Sequence, residues 1–149
     1  MIKYLSVAAL IAVGATVAIA QTKGGTDVIS ERKAAMKSVA GANKALNDIV
    51  KGDVAFDAAK VSAAYKTLAD ALEKSKALYP DNSKTGDTAA LPAIWEKKAD
   101  FVSKLEKSAA TARTNMTAVT DLASLKTNHA EFVKSCGACH RDYRAPPKK

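Results

Sequence analysis

Near its C-terminus the chain carries Cys136-Gly137-Ala138-Cys139-His140, two thiols and an imidazole within five consecutive positions. Covalent haem attachment requires these types at this spacing: each thiol adds across one of the two haem vinyl groups, and the adjacent imidazole reaches the iron from one side. On a helix Cys136 and Cys139 lie one turn apart, with His140 projecting from the same side. A Cys-x-x-Cys redox pair or a small disulfide would use the same two cysteines. The redox pair belongs among alternating strands and helices, a pattern this sequence does not show. Zinc would want a further ligand, and the only other histidine, His129, lies about 16 Å away along a helix. The motif therefore predicts one covalently attached haem c, with Cys136 and Cys139 as anchors and His140 as an iron ligand.

Positioning such a group falls to four amphipathic segments. The first places Ile29, Arg32, Met36, Val39, Asn43, Leu46 and Val50 on one stripe and stops at Gly52. The second starts after Asp57 as a cap, aligns Val61, Tyr65, Leu68, Leu72 and Tyr79, and ends at Pro80-Asp81-Asn82. Residues 81–90 read as the longest loop. Pro92 suits the first turn of a third helix, which continues through Trp95, Val102, Leu105, Ala109, Ala112, Met116 and Val119. Asp121 caps the fourth, whose seam runs Leu122, Leu125, His129, Phe132, Cys136, Cys139 and Tyr143 before Pro146-Pro147 ends it. Short connections and the lack of strand alternation predict an all-α, antiparallel up-down-up-down four-helix bundle with the haem near the C-terminus, facing the interior.

Two residues of the first stripe do not suit an ordinary apolar core. A buried Arg32 needs an anionic partner, which a haem propionate would supply; a snorkelling arginine at the bundle rim is the alternative. Met36, one turn further on, could reach iron opposite His140, although methionine at such a position is commonly core filler. Met116 reads as packing. His129 reads as a satisfied or partly exposed core histidine, since the rise along the helix keeps it from sharing an iron with His140.

Residues 1–20 have the form of a secretory leader: Lys3, the apolar run Leu5 to Ala20, and Ala18-Ile19-Ala20 as a small-x-small site cleaved after Ala20. Residues 21–149 then form one domain, exported to the periplasm and without a stable membrane span. The full chain has 23 Lys+Arg against 15 Asp+Glu, a formal charge of +8. That excess, spread along helical faces, suits steering of an acidic protein partner, whereas nucleic acid is not expected for an exported chain. No catalytic constellation stands out, so the chain is not expected to be an enzyme.

The haem motif with Arg141-Asp142-Tyr143-Arg144 after it, Pro92-x-Ile94-Trp95 with Phe101, and Arg32-x-x-x-Met36 together resemble the cytochrome c′ family, the class II c-type cytochromes, across essentially the whole mature chain. The resemblance implies haem contacts from Arg32 and Arg144. It also implies a role for the position of Met36. Members with an apolar residue there leave iron five-coordinate and open to nitric oxide or carbon monoxide, whereas members with methionine bind iron through histidine and sulfur. Methionine at that position implies the second kind, a one-electron carrier working with a redox partner protein. The five-coordinate, gas-binding member is the alternative, and a non-haem helical module with a disulfide is a third. Homodimers paired through the first two helices are common in the family.

Overall fold

The computed structural model describes residues 24–146. The expected leader, its cleavage after Ala20, and Pro147 lie outside the described residues. Helix α1 (Gly25–Lys51) stops at Gly52, whose φ of 87° and ψ of 7° place it in the left-handed region that residues with a Cβ enter only at a cost. The Gly52 N–H closes on the carbonyl oxygens of Asp48 and Ile49. Asp57 caps α2 (Ala58–Ser75) by accepting the Lys60 N–H at 3.0 Å. Asp121 and Ser124 form a reciprocal capping box at the start of α5 (Leu122–Tyr143).

Between α2 and α5 the chain departs from the expected pattern. Helix α2 ends at Ser75, so Tyr79 is buried from the turn that follows the helix. A single 3₁₀ turn spans Asp81–Ser83. The expected third helix is two, α3 (Ala93–Glu96) and α4 (Lys98–Ala118), broken at Lys97 with φ −118° and ψ 44°. The break has a visible cause. The Trp95 indole N–H donates to the carbonyl oxygens of Tyr79 and Pro80, each at 3.1 Å, and the Lys98 ammonium donates to that of Tyr79 at 2.5 Å. These bonds draw α3 onto the preceding loop and reset the face α4 presents. Its buried side runs through Phe101, Leu105, Ser108, Ala109, Ala112 and Asn115, while Val102 and Met116 are only half-buried.

The four long helices form a bundle in which α1 packs chiefly on α2, α2 on α4, and α4 on α5; the α1–α5 pairing is sparse. Ala69 on α2 and Ala109 and Ala112 on α4 are buried, and their small side chains permit the close α2–α4 approach. Leu46, Val61, Leu68, Leu125 and Phe132 fill the centre. Leu122, expected on the α5 seam, stays exposed at 36%. After α5 the chain pairs with segment 89–91. The Leu91 N–H donates to the Tyr143 carbonyl at 3.0 Å, and the Ala145 N–H donates to the Ala89 carbonyl at 2.8 Å. Among the described residues no helix is long and apolar enough to cross a membrane.

Candidate haem site

Arg32 enters the protein and does not snorkel: it is only 4% exposed. Its guanidinium lies 4.7 Å from the Tyr79 ring centroid and 5.6 Å from that of Trp95, a cation–π arrangement on two aromatic faces. Nη2 donates to the Ser83 carbonyl at 2.7 Å, while Nε and Nη1 are buried with no partner. Burial pushes the Arg32 pKa down, against the opposing influence of Tyr79. A buried cation with two donors unpaired is a costly arrangement that a carboxylate would relieve.

On α5 the motif residues are one turn apart, as their spacing requires. Cys136 and Cys139 are half-buried free thiols, and the Cys136 Sγ lies 3.5 Å from the Phe132 carbonyl it can donate to. Burial pushes both thiols above the ordinary cysteine range. A reactive Cys-x-x-Cys pair would show the opposite, a thiol depressed toward thiolate. His140 is exposed beside a shallow depression that Gly137, Arg141 and Arg144 also line. Cys136 and Cys139 are half-buried and His140 is exposed, so the motif lies at the rim of the packed core. Desolvation, and after it the charge of Arg144, lowers the His140 pKa and leaves a neutral imidazole with a lone pair at pH 7.

Met36 is half-buried on α1, one turn beyond Arg32, and packs against the same core as Cys136 and Cys139. Met116 also packs against that core, from α4. His129 differs from expectation. It is 2% exposed, yet neither ring nitrogen has a partner, so it is neither satisfied nor partly exposed. Sequence spacing did not reveal Ser83, Tyr79 and Trp95 as the surroundings of Arg32. The signal available was the buried arginine itself, which demanded neighbours without naming them.

Two thiols and an imidazole on one helix, a thioether on another, and a buried guanidinium with unpaired donors make a set that fits haem c: sulfur for the vinyl groups, nitrogen and sulfur for iron, and a cation for a propionate. A helical bundle with this donor set is the framework of a c-type cytochrome. The sequence profile of the family Cytochrome C′ matches residues 27–144. A cytochrome c′ from Rhodopseudomonas palustris is 41% identical over 145 residues, covering 97% of this chain and 97% of that protein. A cytochrome c-556 from Agrobacterium fabrum is 37% identical over 117 residues, covering 78% of this chain and 80% of the relative. A solved structure of cytochrome c′ from Rhodopseudomonas palustris superposes with a TM-score of 0.79 at 43% identity, covering 82% of this chain and 98% of that one. The chain belongs to the cytochrome c′ family, and it binds one covalently attached haem c.

Proposed function

We propose that the protein is a periplasmic one-electron carrier in which Cys136 and Cys139 anchor the haem, His140 and Met36 ligate its iron from opposite sides, and Arg32 and Arg144 contact its periphery. The observation that carries this reading is the thioether of Met36, one turn from the buried Arg32 on the helix that faces α5. Bound haem supplies an iron that alternates between ferric and ferrous by one electron. His140 contributes a neutral nitrogen, and Met36 contributes a soft sulfur that favours the ferrous state and raises the potential. With both His140 and Met36 serving as ligands, the iron would keep the same donor set in either oxidation state, which suits rapid transfer. Arg32, held by Ser83 and two aromatic faces, neutralises a propionate without leaving the core. A basic surface suits an acidic redox partner.

The optical spectrum of the ferric protein tests the reading. Sulfur ligation gives a low-spin spectrum with a weak far-red charge-transfer band. Met36→Ala should abolish that band and raise carbon monoxide affinity about tenfold or more, because the open-site fraction no longer limits binding. Met116→Leu should leave both unchanged.

The second reading is a five-coordinate haem protein that binds nitric oxide or carbon monoxide. The match along 97% of the chain to a protein named cytochrome c′ favours it more directly than it favours the carrier. The matches to cytochromes c-556 support the carrier. A wild-type protein that is high-spin and takes up carbon monoxide readily would establish the second reading.

A further inference from the structure

The bundle interior holds a polar group outside the donor set assigned to the haem. Tyr65 from α2, Asn115 from α4 and His129 from α5 are all nine-tenths or more buried. Tyr65 Oη, Asn115 Nδ2 and both His129 nitrogens have no hydrogen-bond partner of good geometry. Tyr65 meets the imidazole edge-on at 6.3 Å between ring centroids, and the Asn115 amide faces the phenol. Phe132 stacks on the imidazole at 6.4 Å and 14°, and its carbonyl oxygen lies against the Cys136 thiol. The cluster thus lies one aromatic layer from the haem attachment point, about two turns of α5 away.

A buried neutral imidazole with neither nitrogen bonded to the protein is costly, and a core position needing only volume would be filled better by leucine. What the arrangement provides is an unpartnered lone pair on His129, with the Tyr65 ring edge-on to the imidazole and a phenol oxygen on that ring that is likewise unpartnered. We propose that His129, with Tyr65 and Asn115, is an internal proton-binding site whose occupancy follows the oxidation state of the haem. When iron gains one electron from a reducing protein partner, the site loses one positive charge nearby, and His129 takes up one proton from solvent on its lone pair; reoxidation returns both. Burial holds the imidazole below its ordinary pKa, and no charged neighbour among the described residues contributes to that shift. Tyr65 from α2 lies against the imidazole and Asn115 from α4 lies against Tyr65, while no ammonium or carboxylate among the described residues contributes to the shift. Coupling therefore acts on the acid side of neutrality. The rise along α5 from His129 to Cys136 is about 10 Å, and a unit charge at that order of separation with an effective dielectric of ~20 changes a proton-binding constant on the order of tenfold.

The inference rests on the one-electron role above only in needing an iron that changes charge; it does not require Met36 as ligand. The test is the reduction potential of the holoprotein measured between about pH 4 and 8 for wild type, His129→Leu, His129→Gln and Tyr65→Phe. Wild type should show a segment in which the potential rises as pH falls, bounded by two pKa values about one unit apart. Both His129 variants should lack it, and Tyr65→Phe should move it to lower pH. Haem propionates titrate in all four proteins, so the difference between profiles isolates His129. His129→Gln keeps a polar side chain in the site, which separates loss of titration from loss of packing. Parallel profiles in wild type and His129→Gln would overturn the proposal, whatever the spin state of the iron.

Discussion

Arg32 Nη2 donates to the Ser83 carbonyl at 2.7 Å across 51 positions of sequence, joining the first helix to the loop that precedes α3. The same guanidinium lies on Tyr79 and Trp95, and Trp95 in turn donates to the Tyr79 and Pro80 carbonyls. One cation therefore organises a loop, two aromatic rings and the start of a helix, with two further donors free for an anion.

Arg32→Leu removes that positive charge from the haem periphery. The ferric state, which carries the extra positive charge, then becomes relatively more stable, and the reduction potential falls on the order of 50 mV. Haem stays attached, because the thiols are untouched. Voltammetry of the variant beside wild type checks both expectations.

Attachment itself is testable by extraction. Pigment in the wild-type protein should survive denaturation and acidified organic solvent, and the chain mass should include one haem. Cys136→Ser with Cys139→Ser should give a protein whose pigment, if any, leaves in the organic phase.

His129 makes stability depend on pH in a defined direction. Burial lowers its folded-state pKa below the ordinary value of 6.5. As pH falls through 6.5 the unfolded chain takes the proton first, so stability is full above that value and declines down to the folded pKa. The slope cannot exceed about 1.4 kcal/mol per pH unit for one group. Denaturant midpoints at pH 7.5 and 5 should converge in His129→Leu relative to wild type.

The capping box at α5 gives a smaller, local effect. Asp121→Ala removes the acceptor of the Ser124 N–H at 2.7 Å and should lower the melting temperature by about 3 °C, while Asp121→Asn should retain most of it. The Ser124 N–H holds the Asp121 carboxyl below the usual carboxylate range. The cap is therefore present at pH 7 and weakens only as the carboxyl protonates in acid.

Gly52, Asp57 and Asp121 were legible in the sequence because caps are local: the residue and the backbone it serves lie within four positions of each other. The motif at Cys136 to His140 was legible for the same reason. The break at Lys97 was not, since it depends on Trp95 finding carbonyls of a loop 15 and 16 positions away. Periodicity ran smoothly from Trp95 to Val119 and so joined α3 to α4. The interior direction of Arg32 and the unpartnered ring of His129 depend on neighbours from other helices, and no spacing rule names those. Met116 and Leu122 show the related limit: a stripe drawn at ideal pitch drifts from the true buried face once a helix starts one turn later or reaches the bundle's end.

Trp95 is the only tryptophan in the chain. Its indole is fixed by two carbonyls and lies near the Arg32 guanidinium. Tryptophan fluorescence from this protein therefore reports a single place. A haem on the same side of the bundle would quench that emission by energy transfer, so light would return when the loop and α3 part from it. The rate at which emission returns in denaturant would time the opening of this corner alone, against which the loss of helical circular dichroism times the bundle.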